Sequence, residues 1–99
     1  MSYKVRYTRA AREDLLRLYD FLLEQDLAAA SRARDAIAKA IEFLSAFPFT
    51  CRKAEADNPF LRELVIPFGG AGYVALFEIE SGETVTILAI RHQREDDYH

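Results

Sequence analysis

Apolar and polar residues alternate where the chain begins. Tyr3, Val5 and Tyr7 fall on one side of the run and Lys4 and Arg6 on the other, the period-two pattern of a half-buried strand. From Arg9 to about Glu24 the period changes. Ala11, Leu15, Leu18 and Leu22 recur at helical spacing, and Leu16, Tyr19 and Leu23 widen the stripe. Thr8 stands where an N-cap is needed. Arg9–Glu13 and Glu13–Arg17 are opposite charges four residues apart, so they predict a solvated opposite face. Gln25-Asp26 interrupts the pattern, and Asp26 can cap a second helix. Ala30, Ala33, Ile37, Ala40 or Ile41, and Leu44 form that helix's stripe, where alanine allows close approach. Pro48 disfavours helical geometry at Phe47 and ends it. The short break predicts an antiparallel αα-hairpin.

Residues 47–59, "FPFTCRKAEADNP", read as an irregular connection. Three strands are predicted beyond it: Leu61–Ile66, Tyr73–Glu80 and Thr84–Ile90, with Ser81-Gly82 between the last two at two-residue hairpin length. The order is β-α-α-β-β-β. It defines an α+β fold, an antiparallel sheet packed against the helical hairpin. Leu15, Leu18, Leu22, Ile37, Ile41, Leu44, Leu76 and Leu88 are the expected core.

The 99 residues are enough for one domain, 1–99, and no more. No apolar run is long enough to span a membrane, and the first residues lack the apolar centre of a signal peptide. Cys51 is the single cysteine, which excludes an internal disulfide and a cysteine-paired zinc site and points to the cytosol. Charge is uneven. Residues 1–53 hold ten Lys/Arg against seven Asp/Glu, and residues 54–99 hold three against nine. Nucleic-acid binding by electrostatics alone requires a basic surface, so no direct sequence-specific binding is expected.

The chemistry-bearing stretch is the end, "ILAIRHQREDDYH". A core strand, Ile87 to Ile90, runs without a turn signal into Arg91, His92, Gln93 and Arg94. Histidine is a general acid/base and arginine stabilises a phosphorane-like transition state, so Arg91, His92 and Arg94, with Tyr98 as a further proton donor, suit a ribonuclease. The same residues suit a rigid recognition hook, or simply the place where a strand meets water. "PFGGAG", residues 67–72, lacks the Gly-Lys-Ser/Thr ending of a phosphate loop and has no helix after it, so it reads as a turn. His92, Asp96, Asp97 and His99 match no standard metal spacing; no metal and no cofactor are expected.

In order and motif the chain resembles the RelE/ParE toxin superfamily of type II toxin–antitoxin pairs. Members open with a "Y-x-V-x-[FY]-[ST]-x-x-A-x-x-D-L" stretch, here "YKVRYTRAAREDL", and continue with a helical hairpin. An Arg-x-Leu strand follows, here with Arg62 and Leu64, then a tyrosine-led strand, "GYVALFEI", and a last strand with an arginine- or histidine-rich exit. The resemblance covers nearly the whole chain. Val74 after Tyr73, where RelE-like members carry arginine, and the "IRHQRE" exit place it nearer the ParE branch.

That resemblance implies a growth-inhibiting toxin that binds rather than hydrolyses. It would poison DNA gyrase through Arg91, His92 and Arg94, and a ParD-like antitoxin would neutralise it. The alternative branch implies a ribosome-dependent mRNA endonuclease, for which Arg62, Arg91, His92 and Arg94 would be the candidates. The surplus apolar width of the first helix marks Leu16, Tyr19 and Leu23 as the expected antitoxin contact.

Overall fold

The computed structural model describes residues 2–81 and 83–95. Strand β1 (Lys4–Tyr7) leads into helices α1 (Arg9–Gln25) and α2 (Leu27–Leu44). A 3-10 turn over Pro48–Thr50 follows, then β2 (Arg52–Glu55), β3 (Asn58–Phe68), β4 (Ala71–Glu80) and β5 (Thr84–His92). The strands form a five-stranded sheet in the order β1-β5-β4-β3-β2. Its last four strands make an antiparallel meander. The helices pack on one face, α1 mainly on β5 and α2 on β3.

Both helix starts follow from their caps. The Thr8 hydroxyl accepts the Ala11 N–H at 3.1 Å, and the Asp26 carboxylate accepts that of Ala28 at 2.9 Å. Asp26 alone separates the helices, so the hairpin is tighter than the two-residue break suggested. Ala30 and Ala33 are buried on α2, where small side chains let the helices close. Helix α2 stops at Leu44, four residues before Pro48.

The sheet departs from the sequence reading in three ways. First, it is not antiparallel throughout, because β1 lies parallel to β5 with Val5 opposite Val85. Second, residues 47–59 contain strand β2, and β3 begins at Asn58 rather than Leu61. Strand β2 is short, polar and at the sheet edge, so it has no alternation to detect. It is held by an Arg52–Glu63 ion pair of 3.1 Å and by Arg62, described below. Third, Glu80 pairs with Thr84, which leaves a three-residue loop. Glu83 in that loop takes the left-handed conformation, φ 62°.

By contrast, Gly69-Gly70 forms a two-residue turn between Phe68 and Ala71, which pair directly. Gly69 has φ 61° and Gly70 does not share it, the II′ pattern that favours glycine at the first central position.

The core gathers Leu18, Ile41 and Leu44 from the helices with Tyr73, Ala75, Phe77 and Ile79 from β4 and Val85, Ile87 and Ile90 from β5. Leu15, Leu22 and Ile37 are half-buried against it. Leu76 and Leu88 are half-buried to a similar degree but stand outside this core. Leu76 alternates with the core-facing residues of β4, and so belongs to the open face. Leu88 is the extra residue of a β-bulge: Leu76 pairs with Ala89 and Phe77 with Ile87, so Leu88 faces no partner. Arg9 and Glu13 pair at 3.2 Å as expected. Arg17 does not join Glu13; it reaches Glu95 at 3.0 Å and Asp14 at 3.8 Å.

Candidate functional site

The end of β5 is held by the start of α1. Strand β1 stops at Tyr7, while β5 continues to His92. Beyond that point one edge of β5 lacks a strand to pair with, and buried backbone groups must find partners elsewhere. The Thr8 N–H donates to the Ile87 carbonyl at 3.0 Å. The Thr8 hydroxyl donates to the Leu88 carbonyl, also at 3.0 Å. The Asp14 carboxylate accepts the Ile90 N–H at 2.9 Å in a buried setting. Thr8, Ala11 and Asp14 therefore act together: a cap that also grips the bulge, a fully buried small residue, and an acceptor for an orphaned amide.

The bulge decides where the exit residues point. Val85 and Ile87 face the helices; after Leu88 the alternation resets, and Ile90 and His92 take that face. His92 lies opposite Tyr73, the two rings edge to face with centroids 5.7 Å apart. Its Nδ1 accepts the Arg94 N–H at 3.1 Å, which bends the chain just past the strand. Arg91 lies opposite Val74 on the open face. There it donates to the Glu95 carbonyl at 2.8 Å and to the His92 and Gln93 carbonyls. Arg91 and His92 thus occupy opposite sides of the sheet. Arg94 is exposed beyond them. Tyr98, Asp96, Asp97 and His99 lie outside the described residues, among which no cluster of His, Cys, Asp or Glu could hold a metal ion.

Arg62 is elsewhere and occupied. It donates to the carbonyls of Cys51 at 2.7 Å, Pro59 at 2.8 Å and Phe49 at 3.0 Å, and lies over the Phe49 ring. It fastens the connection before β3. Cys51, packed beside it, has its thiol pushed up by burial, with the Arg62 charge working against that rise.

The helical hairpin carries an apolar groove of about 320 Å³ lined by both helices, with Tyr7 and Tyr73 beneath. Burial raises the pKa of both phenols. Leu16, 61% exposed, and Tyr19 line this groove. Leu23 is exposed but is not part of it. A second pocket, about 290 Å³, sits at the exit itself and includes Phe21, Phe68, Tyr73, His92 and Arg94. The sequence reading did not single out Phe21 or Phe68 for it.

The fold is shared with proteins of one class, the toxins of type II toxin–antitoxin systems. The sequence pattern of the ParE toxin of the parDE type II system matches residues 5–97. Toxin RelE1 of Caulobacter vibrioides is 32% identical over 92 residues, 93% of this chain and 95% of that protein. A chromosomal ParDE toxin–antitoxin system from P. aeruginosa contains a chain of the same fold, with TM-score 0.71 at 22% identity, covering 92% of this chain and 96% of that one. The RelBE2 toxin–antitoxin complex of Mycobacterium tuberculosis contains another, TM-score 0.62 at 26% identity, covering 93% and 99%. The chain belongs to the ParE toxin family, within the RelE/ParE superfamily of type II toxin–antitoxin toxins.

Proposed function

We propose that this chain is a bacterial, cytoplasmic toxin that inhibits growth by binding DNA gyrase through the exit of β5, without hydrolysing a substrate. A cognate ParD-like antitoxin neutralises it by covering the α1–α2 groove. The observation that carries the reading is the placement of the basic side chains. Arg91 and His92 are on opposite sides of the sheet, and Arg62 is committed to three backbone carbonyls. A general acid/base and its transition-state cations must converge on one reacting atom; of the three candidate arginines only Arg94 shares a pocket with His92, while Arg91 and Arg62 lie away from it. A protein-contact hook has no such requirement. The acidic balance of residues 54–99 also disfavours a phosphate grip while permitting a protein contact. No helix of the described residues is long and apolar enough to cross a membrane.

The test is a pair of variants, Arg94→Ala and His92→Gln, assayed for growth inhibition and for gyrase-dependent DNA breaks. Binding predicts that Arg94→Ala weakens both together, by ~2 kcal/mol or more if it is an interface anchor, while His92→Gln is milder. A mRNA endonuclease predicts the reverse: His92→Gln abolishes toxicity and cleaved mRNA disappears, with ribosome binding intact. That second pattern, or full toxicity in both variants, sinks the proposal.

A further inference from the structure

We infer that the pocket at the exit of β5 is an anchor site for one aromatic side chain of a partner protein, with a carboxylate beside it in the partner's sequence. The inference rests on the reading of this exit as a protein-contact surface and adds the chemistry of what it contacts. The interior of the pocket is apolar. Tyr73 is 2% exposed and Phe68 half-buried, with their rings stacked at 6.0 Å. Phe21, 61% exposed, extends that apolar wall to the rim. The Gly69-Gly70 turn borders it without side chains, and a Cβ at either glycine would meet nothing within 4 Å. The wall is therefore open to an entering ring.

The polar groups of this pocket are His92, Arg94 and the Tyr73 hydroxyl; among the described residues no acid lines it. Glu95, the nearest described acid in sequence, is drawn away to Arg17 at 3.0 Å. Among the described residues the Arg94 guanidinium has no hydrogen-bond or ion-pair partner; only its backbone N–H is engaged, with His92. An apolar interior with an unpartnered cation at the rim complements an aromatic ring flanked by a carboxylate. At about 290 Å³ the space is at the lower limit for ligand pockets. It suits one anchoring side chain, the kind that dominates a protein interface.

Nuclear magnetic resonance titration of the antitoxin-free toxin provides the test. The probes are N-acetyl-phenylalanyl-aspartate amide, its lysyl analogue and uridine 5′-monophosphate. The aspartyl peptide is expected to shift the amides of Phe68, Tyr73 and His92 and to bind more tightly than the lysyl one. Arg94→Ala reduces that preference roughly threefold, the size of an exposed ion pair, and leaves the shared apolar affinity. Phe21→Ala, at an exposed position, lowers affinity for both peptides. Absent shifts, equal affinity of the two peptides, or tighter binding of the nucleotide each overturn the inference. The two readings fail separately. Peptide binding without gyrase-dependent breaks removes the gyrase target alone. Breaks that persist in Phe21→Ala, with no peptide binding by the wild type, remove the anchor site alone.

Discussion

The Asp14 carboxylate, buried on α1, accepts the backbone N–H of Ile90 on β5 across 76 positions of sequence at 2.9 Å. The amide needs this acceptor because β1 ends before it. Replacing Asp14 by alanine leaves a buried N–H unsatisfied, at a cost of about 1–3 kcal/mol. Asp14→Asn keeps an acceptor oxygen and retains part of that. Urea unfolding measures both. In hydrogen exchange, the Ile90 amide of the alanine variant loses protection before the rest of β5; uniform loss along the strand refutes this local role.

Gly72 is required for packing. A Cβ there would overlap the Ile66 carbonyl oxygen and crowd the Phe68 N–H and the Gln93 amide at 3.0 and 3.1 Å. Its own carbonyl accepts the Gln93 N–H at 2.8 Å. Gly72→Ala is expected to destabilise by about 1–3 kcal/mol, as overpacking does. Gly70→Ala, with open space around it, is the matched control and stays within about 0.5 kcal/mol. Thermal unfolding of the two variants side by side decides the matter.

Alkaline pH is expected to unfold the protein earlier than exposed tyrosines alone would allow. Burial raises the Tyr7 and Tyr73 phenols above 10.0. Between that value and their folded-state values the native chain holds protons that the unfolded chain has released, so stability falls as pH rises. It is fully present below the unfolded value and is lost through the folded ones. Denaturant midpoints on either side of pH 10 test this, and Tyr73→Phe flattens the decline.

The two sides of α1 separate stability from partner binding. Leu18 is in the core, and Leu18→Ala is expected to cost ~2–5 kcal/mol. Leu16 is mostly exposed in the groove, and Leu16→Ala is expected to leave stability within about 0.5 kcal/mol while weakening antitoxin binding. Exchange protection within residues 9–44 of the complex maps the contact. If none of those amides is protected, the antitoxin lies elsewhere.

Periodicity was enough to place the helices, the caps and the three long strands, because each has an apolar face that repeats. Strand β2 escaped because its four residues, RKAE, have no such face; it is held by Arg62 and by the Arg52–Glu63 pair. Asp14 lies on the buried stripe, three positions from Ala11 and four from Leu18, but a charged residue there reads as solvent-facing until the orphaned amide opposite is known. The exit pocket was legible in part. Arg94 and His92 stood out by residue type, but Phe21 meets them only through the packing of α1 on the sheet and Phe68 only through strand pairing. Leu88 was expected in the core because one unpaired residue leaves no mark on an apolar run.

The bulge at Leu88 gives the end of the chain a parity. Each residue beyond it stands on the side its neighbour would have held in an unbroken strand. Removing that one residue would restore an unbroken ladder and leave the histidine and the arginine on the sides they hold, because Ala89 already pairs next after Ile87. Drawing Leu88 into the ladder instead would exchange the two sides and turn Ile90 out of the core, so the burial of Ile90 is what locks which group faces the helices and which faces away.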